Sequence, residues 1–229
     1  MPESDPNSHA TAVWDATADR YVEFVGTEIS AATEGPVDRA LLAAFVDLLA
    51  SRPGARVADI GCGPGRIASF LASSGLLVLG IDPSTQLLAR ARLAHPTITF
   101  EEGRLDDLPI ADASLLGAVC WYSIINTPPG GLDRCLVELH RVLEPDGHLL
   151  LAFQSGDGEA VVRSDAYGTG LPLTSYRHGV ADVVRRMETA GFEWHATAER
   201  APEFAHETTQ QAFVLARRRE PNAVAGPRR

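Results

Sequence analysis

The stretch VADIGCGPGR, residues 57–66, decides the fold class of this chain of 229 residues. Val57 to Ile60 form a short apolar run that is interrupted by Asp59 and leads directly into three alternate glycines. Alternate glycines let the backbone turn sharply and let a ligand touch it, while a helix beginning there offers free N–H groups to a negative group. The stretch therefore predicts a strand, a ligand-binding turn and a helix.

The spacing of these glycines separates two kinds of nucleotide-binding loop. A dinucleotide loop of the GxGxxG type needs glycine at position 66, where this chain has Arg66. The pattern here is GxGxG, so an NAD-dependent dehydrogenase is the weaker interpretation. Preferential binding of NAD would favour it.

A second informative stretch is GIDPS, residues 80–84, in which Asp82 comes 21 residues after Gly61. A carboxylate at the end of a second strand only accepts hydrogen bonds, which suits the two hydroxyls of a ribose. An N-cap role on the following helix is the alternative interpretation. Together with the glycine loop, Asp82 favours a ligand that contains adenosine.

Short apolar runs alternate with segments of helical period from residue 36 onward. Runs that are apolar on both faces predict a mostly parallel, doubly wound α/β sheet with helices on both sides. The predicted strands are 56–60, 76–81, 98–101, 116–122 and 148–153, followed by a closing pair at 192–198 and 211–216. The predicted helices are 12–29, 37–50, 66–73, one from residue 84, 132–143 and 180–190. In this fold the loops after the strands carry the chemistry.

Breaks in the pattern divide the chain into three segments. Residues 1–35 are predicted to form an N-terminal helical cap, because Gly35-Pro36 interrupts the helical pattern. Residues 36–217 form the main domain, and residues 155–176 within it are long for a structureless connection, which indicates a lid. Residues 218–229 are expected to be a frayed tail.

Composition excludes several function classes. All 20 basic residues are arginine, which removes Schiff-base chemistry and the lysine of a Walker A loop. A formal charge of −10 argues against nucleic-acid and anionic-membrane partners. Cys62, Cys120 and Cys135 lack the spacing of zinc ligands, so no metal site is expected. With no signal peptide or transmembrane pattern, the expectation is a cytoplasmic protein.

Five stretches carry a family resemblance: VADIGCGPGR, GIDPS, EEGRLDDLP, VCWYSIINTPP and LEPDGHLLLAF, over about residues 55–154. In this order and at similar separations they resemble the class I S-adenosylmethionine-dependent methyltransferases. The flanking segments resemble those of small-molecule methyltransferases from actinobacteria. The resemblance implies a Rossmann-like sheet of seven strands with an antiparallel last strand, S-adenosylmethionine as cofactor and S-adenosylhomocysteine as product. It also implies direct displacement of the methyl group by an oxygen, nitrogen or carbon atom of a small molecule.

The resemblance assigns individual cofactor contacts. It implies that Asp59 organises the glycine loop and faces the methionine moiety, and that Asp82 binds the ribose diol. The resemblance implies that the backbone N–H of Leu105 recognises the adenine edge. It also implies that Asp106 contacts the adenine amino group, because Arg104 stands where relatives often carry an acidic or small polar residue. The other implied cofactor contacts are Tyr21, Gly61, Cys62, Gly63, Gly65, Arg66, Pro83, Leu87 and Trp121, with Tyr21 and Arg66 at the carboxylate.

An acceptor alcohol or phenol must also lose a proton, which requires a base. His178 is the histidine expected to enter the pocket, Tyr21 is a further catalytic candidate, and Asn126 stands where many relatives carry histidine. The aromatic residues expected to wall the acceptor pocket are Trp14, Tyr122, Tyr167 and Tyr176. A noncatalytic adenosine-binding module, which would use the same glycine loop, is the rival interpretation from another class.

Overall fold

The computed structural model describes residues 6–52 and 54–220. Seven strands form one sheet in the order β3-β2-β1-β4-β5-β9-β8. These strands are β1 (Arg56–Ile60), β2 (Leu77–Asp82), β3 (Thr99–Glu102), β4 (Leu115–Trp121), β5 (Leu143–Gln154), β8 (Phe192–Arg200) and β9 (Gln211–Arg218). The helices are α1 (Pro6–Val25), α2 (Pro36–Leu49), α3 (Arg66–Ser73), α4 (Thr85–Ala94), α5 (Leu132–Val142) and α6 (Val180–Thr189). Strands β1 to β5 run parallel, and β9 pairs antiparallel with both β5 and β8.

Both faces of the sheet are buried, as the continuous apolar runs predict. Every residue of β4 is buried. Leu136 of α5 and Met187 of α6 belong to the core on one face, while Phe45 of α2 and Leu71 of α3 belong to the core on the other. The predicted doubly wound, mostly parallel sheet with an antiparallel last strand is confirmed.

The chain order of the strands reverses between β1 and β4, which are neighbours in the sheet. Ligands of such sheets bind beyond the carboxyl ends of the strands at this point. The glycine loop after β1 and the segment after β4 therefore meet at one edge.

Helix α1 is anchored beside that edge by contacts with α4. The carboxylate of Asp15 accepts hydrogen bonds from the Ser84 hydroxyl (2.7 Å) and the Gln86 backbone N–H (3.1 Å), so it caps the free N–H groups of α4. Arg90 donates to Asp19 at 2.9 Å one turn further on. These contacts tie the N-terminal helix to the edge of the sheet at which the strand order reverses.

Several element boundaries differ from the sequence prediction. Helix α1 ends at Val25 rather than residue 29, because Gly26 takes a left-handed φ of 73° and donates to the Val22 carbonyl. Strand β9 continues through Arg218, one residue past the predicted end of the domain. Of the predicted tail, residues 221–229 lie outside the described residues.

The segment 155–176 is not structureless. It contains an antiparallel pair of four-residue strands, β6 (Ala160–Arg163) and β7 (Leu173–Tyr176). The strands are too short and too exposed to leave an alternating apolar pattern, which is why the sequence did not indicate them. Leu173 packs with Val13 of α1 and Ala166 in a small apolar cluster.

Among residues 6–52 and 54–220, no helix combines the length and the hydrophobicity needed to cross a membrane.

Candidate active site

A cavity of about 230 Å³ lies beyond the carboxyl ends of β1, β2 and β4. Its walls come from the glycine loop, the segments after these strands, α1 and the loop after β8. The sequence-predicted residues that line it are Trp14, Tyr21, Gly61, Gly63, Arg66, Asp82, Pro83, Leu87, Arg104, Leu105, Asp106, Trp121, Tyr122, Asn126 and Tyr167. The structure therefore brings most of the candidate residues to one space.

The glycine loop needs its glycines for two different reasons. Gly61 and Gly63 have φ values of 77° and 52°, in the region that L side chains rarely adopt. A side chain on Gly61 would collide with Ser123, whereas a Cβ on Gly63 would have Tyr21 as its nearest neighbour at 3.6 Å. Gly61 thus allows close packing of backbone segments, and Gly63 leaves space on the cavity side.

Gly65 is a correction to the predicted cofactor contacts. It does not line the cavity, and a Cβ there would stand 2.9 Å from His95 and 3.0 Å from Phe100. The residue lets α3 begin close to the sheet rather than giving space to a ligand. Cys62 is a second correction, because its side chain is buried with Phe100 and Leu88 beneath the loop.

Asp59 is buried below the loop and does not line the cavity, which corrects its predicted position against the methionine moiety. Its Oδ2 accepts the backbone N–H of Ala68 at 2.9 Å, so it does tie β1 to α3. Its Oδ1 is buried without a hydrogen-bond partner among the described residues. Burial raises the pKa of Asp59 to about 7, against the lowering effects of the Ala68 N–H and of Arg66.

Asp82 lines the cavity at the end of β2 and connects the two predicted motifs. Its Oδ2 accepts the Gly63 backbone N–H at 2.9 Å, and its Oδ1 accepts the Ser84 N–H at 2.8 Å. The side chain that caps α4 is Ser84, whose hydroxyl accepts the Leu87 N–H. The N-cap interpretation of Asp82 is therefore wrong. Burial raises the pKa of Asp82 to about 6, although both backbone N–H groups oppose this.

The loop after β3 supplies one end of the cavity, with Leu105 between two charged neighbours. Arg104 donates to Asp106 through Nε (3.0 Å) and Nη2 (3.3 Å). This pairing holds the pKa of Asp106 below its usual value. An ionised carboxylate thus stands where the resemblance implies the adenine amino group.

Arg66 and Glu34 form a buried ion pair on the cavity wall. The resemblance implied that Arg66 faces a carboxylate of the cofactor, and the structure shows that one side of its guanidinium is already occupied by Glu34. Tyr21 lies beside this pair, and burial raises the pKa of its hydroxyl. The charge of Arg66 is therefore balanced within the chain.

Aromatic rings from α1 and the segment 155–176 form a continuous wall. The Tyr21 ring lies 5.0 Å from Trp14 and 5.2 Å from Tyr167, both edge to face. Phe24, which the sequence did not single out, lies 5.9 Å from Tyr167. Three of the four predicted aromatic residues, Trp14, Tyr122 and Tyr167, therefore line the cavity.

Tyr122 and Tyr167 have positive φ values of 58° and 54°. Residues other than glycine adopt this conformation at a cost, and such strain concentrates at functional sites. The hydroxyl of Tyr122 is buried with no hydrogen-bond partner among the described residues. The same holds for Nε1 of Trp121, the preceding residue on the cavity wall.

One residue predicted as catalytic and one predicted for the acceptor pocket do not reach the cavity. His178 is buried, and its Nε2 lies 3.1 Å from the Ile124 carbonyl oxygen, so the ring is used to hold the segment after β4. Tyr176 lies on β7, paired with Ala160, and is absent from the cavity wall. Asn126 does line it, where its Oδ1 accepts Nε1 of Trp14 at 3.4 Å.

Comparison with known proteins supports one family. A family model for a methyltransferase domain matches residues 57–147. A malonyl-[acyl-carrier protein] O-methyltransferase of Erwinia billingiae is 33% identical over 106 residues, which cover 46% of this chain and 41% of that protein. A demethylmenaquinone methyltransferase of Beutenbergia cavernae is 31% identical over 150 residues, which cover 66% of this chain and 59% of that protein.

Residues 57–147 form a methyltransferase domain of the class I S-adenosylmethionine-dependent type.

The fold of the chain agrees with solved structures. The magnesium protoporphyrin IX methyltransferase of Synechocystis, solved with bound S-adenosylmethionine, superposes with a TM-score of 0.70 at 20% identity, covering 95% of this chain and 99% of that one. At this identity the likeness shows the fold. The matched region spans only 41% and 59% of the length of the two relatives named above.

Several residues of the methyltransferase cavity were missed by the sequence analysis. They come from loops and helix ends remote from the glycine motif, and they include Phe24, Thr33, Glu34, Gln154, His206, Glu207 and Gln211. Gln154 and Gln211 face each other at the paired ends of β5 and β9. Gln154 directly follows the carboxyl end of the predicted strand 148–153, which was a usable signal. Nothing in the local sequence indicated Glu34 or His206.

Proposed function

We propose that this chain transfers a methyl group from S-adenosylmethionine to a small-molecule acceptor. The observation that carries the proposal is one cavity that joins Asp82 and the glycine loop to an aromatic wall. Such a space holds a nucleoside on one side and a planar acceptor on the other. Family membership supports the same reaction.

The residues present fit this cofactor. Gly63 leaves its cavity side open, and the Trp121 indole N–H on the cavity wall has no partner among the described residues. Asp82 keeps unused lone pairs on both oxygens for a ribose diol, since each oxygen accepts one backbone N–H. When bound, S-adenosylmethionine supplies an electrophilic methyl carbon on a sulfonium.

The work of the chain is then positioning and exclusion of water. Asp82 and Gly63 hold the nucleoside, Leu105 and Asp106 receive its base, and the aromatic wall places the acceptor. Correct alignment of reacting groups can contribute about 7 to 11 kcal/mol. Helix α1 and the segment 155–176, proposed as cap and lid, share a buried cluster that closes the side of the site away from the sheet.

The proposal includes cytoplasmic localisation and the absence of nucleic-acid and membrane partners. Its support is the charge of −10 and three free cysteines that are all buried. These features suit a reducing compartment and an uncharged or weakly charged partner.

Calorimetry with the Asp82→Ala variant tests the cofactor site. Loss of a charge-assisted hydrogen bond costs about 1.5 to 3 kcal/mol, so we expect S-adenosylmethionine to bind roughly ten- to a hundredfold more weakly. Asp107→Ala is the matched control, because that carboxylate is exposed, one residue beyond the cavity wall, and absent from it.

An unchanged dissociation constant for Asp82→Ala contradicts the ribose assignment. Tighter binding of NAD than of S-adenosylmethionine to the unmodified chain contradicts the proposed function. Binding of S-adenosylmethionine without release of S-adenosylhomocysteine in a screen of acceptors indicates the noncatalytic module instead.

A further inference from the structure

The loop between β8 and β9, residues 201–210, reaches the cavity from the side opposite the glycine loop. It brings His206 and Glu207 to the wall. Of the histidines whose side chains the structure describes, His206 is the one that lines the cavity. It lies at the mouth, exposed to solvent.

The His206 ring is held in place while its nitrogens stay free. It packs edge to face against Phe24 at 5.0 Å and stacks on Phe204 at 5.6 Å. Among the described residues, neither ring nitrogen has a hydrogen-bond partner. By contrast, the rings of His95 and His178 are bonded to backbone carbonyls.

Hydrogen bonds to the carboxylate of Glu207, the residue after His206, anchor this loop. Both oxygens of Glu207 accept from Arg200, at 2.7 and 2.6 Å, and one also accepts the backbone N–H groups of Glu203 and Phe204. Arg200 in turn pairs with buried Asp38 of α2. The imidazole is therefore presented by a loop that these hydrogen bonds and ion pairs anchor to β8 and α2.

The charges of the wall restrict the acceptor. Both arginines that line the cavity are paired, Arg66 with Glu34 and Arg104 with Asp106. An acceptor carboxylate would meet Glu34 and Glu207 with neither arginine free to balance it. The aromatic wall and the unpartnered Tyr122 hydroxyl suit an uncharged ring that bears a hydroxyl.

We propose that His206 is the proton acceptor for a hydroxylated aromatic acceptor in this cavity, an inference that rests on the proposed methyl transfer. The acceptor oxygen forms the new bond to the methyl carbon as the sulfur–methyl bond breaks, and the sulfur keeps the electron pair as a neutral thioether. The hydroxyl proton moves to a ring nitrogen of His206 and passes from there to solvent.

The protonation state of His206 agrees with this role. Partial burial of the ring lowers the pKa of His206 below its usual value of 6.5. The nearby charges of Arg163 and Arg200 lower this pKa further, while Glu207 raises it. Phe24 and Phe204, which pack against the ring, carry no charge. The imidazole is thus neutral at pH 7 and able to take a proton.

The test compares unmodified chain with His206→Gln at saturating S-adenosylmethionine. Three acceptors present different groups on one ring: 2-naphthol, 2-naphthylamine and 2-naphthoate. We expect transfer to 2-naphthol in preference to the other two, with kcat/KM rising with pH below 6.5 and then levelling. In His206→Gln, kcat/KM for 2-naphthol should fall about 10²- to 10⁴-fold and lose this pH limb.

Pentafluorophenol, which is ionised at neutral pH, separates a proton acceptor from a structural role. Its negative charge should lower its kcat/KM relative to 2-naphthol in both proteins. Its methylation needs no base, however, so His206→Gln should change that kcat/KM by no more than a few fold. His195→Gln, an exposed histidine of β8 outside the cavity, is the control and should leave both phenols unaffected.

Equal losses for 2-naphthol and pentafluorophenol overturn the proton-acceptor role, and so does a retained pH limb. Preferred transfer to 2-naphthoate or 2-naphthylamine, or to none of the phenols, overturns the acceptor class. Calorimetry separates these outcomes from failure of the proposed function, which would abolish S-adenosylmethionine binding in the unmodified chain as well.

Discussion

At the scale of single residues, Gly63 shows how one backbone position makes room for a ligand. Its φ of 52° already favours glycine, and its missing side chain leaves the space beside Tyr21 open. Gly75 has a comparable positive φ of 86°, but a Cβ there would meet nothing within 4 Å. Both positions therefore have a backbone conformation that favours glycine, and they differ in the atoms that surround them.

This contrast gives a matched pair of variants. Gly63→Val should weaken S-adenosylmethionine binding about a hundredfold or more, because the branched side chain fills the space assigned to the cofactor. Gly75→Val should show a loss of stability from the left-handed backbone but keep the affinity. Calorimetry and thermal melts measure both, and a folded Gly63→Val chain with normal affinity would show that the ligand binds elsewhere.

At the scale of elements, the buried charges between α2, β8 and the loop after it explain how distant segments are joined. Asp38 accepts the Gly35 backbone N–H at 2.6 Å, which caps α2, and also pairs with Arg200 of β8. Arg200 pairs on its other side with Glu207. All three side chains are less than a tenth exposed.

Removing Arg200, the central charge of this group, should lower the free energy of unfolding. Arg200→Ala leaves two buried carboxylates facing each other, and we expect a loss of about 3 to 5 kcal/mol in the free energy of unfolding. The control is Arg217→Ala, which breaks exposed pairs with Glu193 and Asp146 and should cost about 1 kcal/mol or less. Urea denaturation at pH 7 compares them, and equal losses would mean that the buried group does not stabilise the fold.

At the scale of the whole molecule, burial of the Asp59 carboxyl lowers the free energy of unfolding at neutral pH. Burial raises the pKa of Asp59 from 3.8 to about 7. Between these values the folded chain binds more protons than the unfolded chain, so the free energy of unfolding decreases as pH rises. The stabilisation is complete below pH 3.8 and is lost as pH approaches about 7.

We therefore expect Asp59→Asn to be more stable than the unmodified chain at pH 8 by up to about 4 kcal/mol, with the gap closing as pH falls. Asparagine keeps an oxygen for the Ala68 N–H, so the loop geometry is retained. Histidines with a lowered pKa make the free energy of unfolding rise with pH, and they do so equally in both proteins. The difference in unfolding free energy between the two proteins, measured at each pH, therefore isolates the contribution of Asp59. A constant difference from pH 5 to 8 would contradict this assignment.

Local sequence determined the strands of the seven-stranded sheet, the glycine loop and the placement of Asp82. These features depend on residues that are close in the chain: an apolar run, alternate glycines, and a carboxylate at a strand end. Because the sheet type follows from which strands are apolar on both faces, the fold and the cofactor side of the cavity were predictable.

Only the tertiary structure decided the acceptor side. The sequence pointed to His178, yet packing directs that ring to the Ile124 carbonyl and brings His206 to the cavity instead. The pairing of Arg66 with Glu34 and the left-handed backbone of Tyr122 are likewise invisible in the chain order. Such contacts join residues tens of positions apart, and their formation depends on how helices and loops pack over the sheet, which no local pattern encodes.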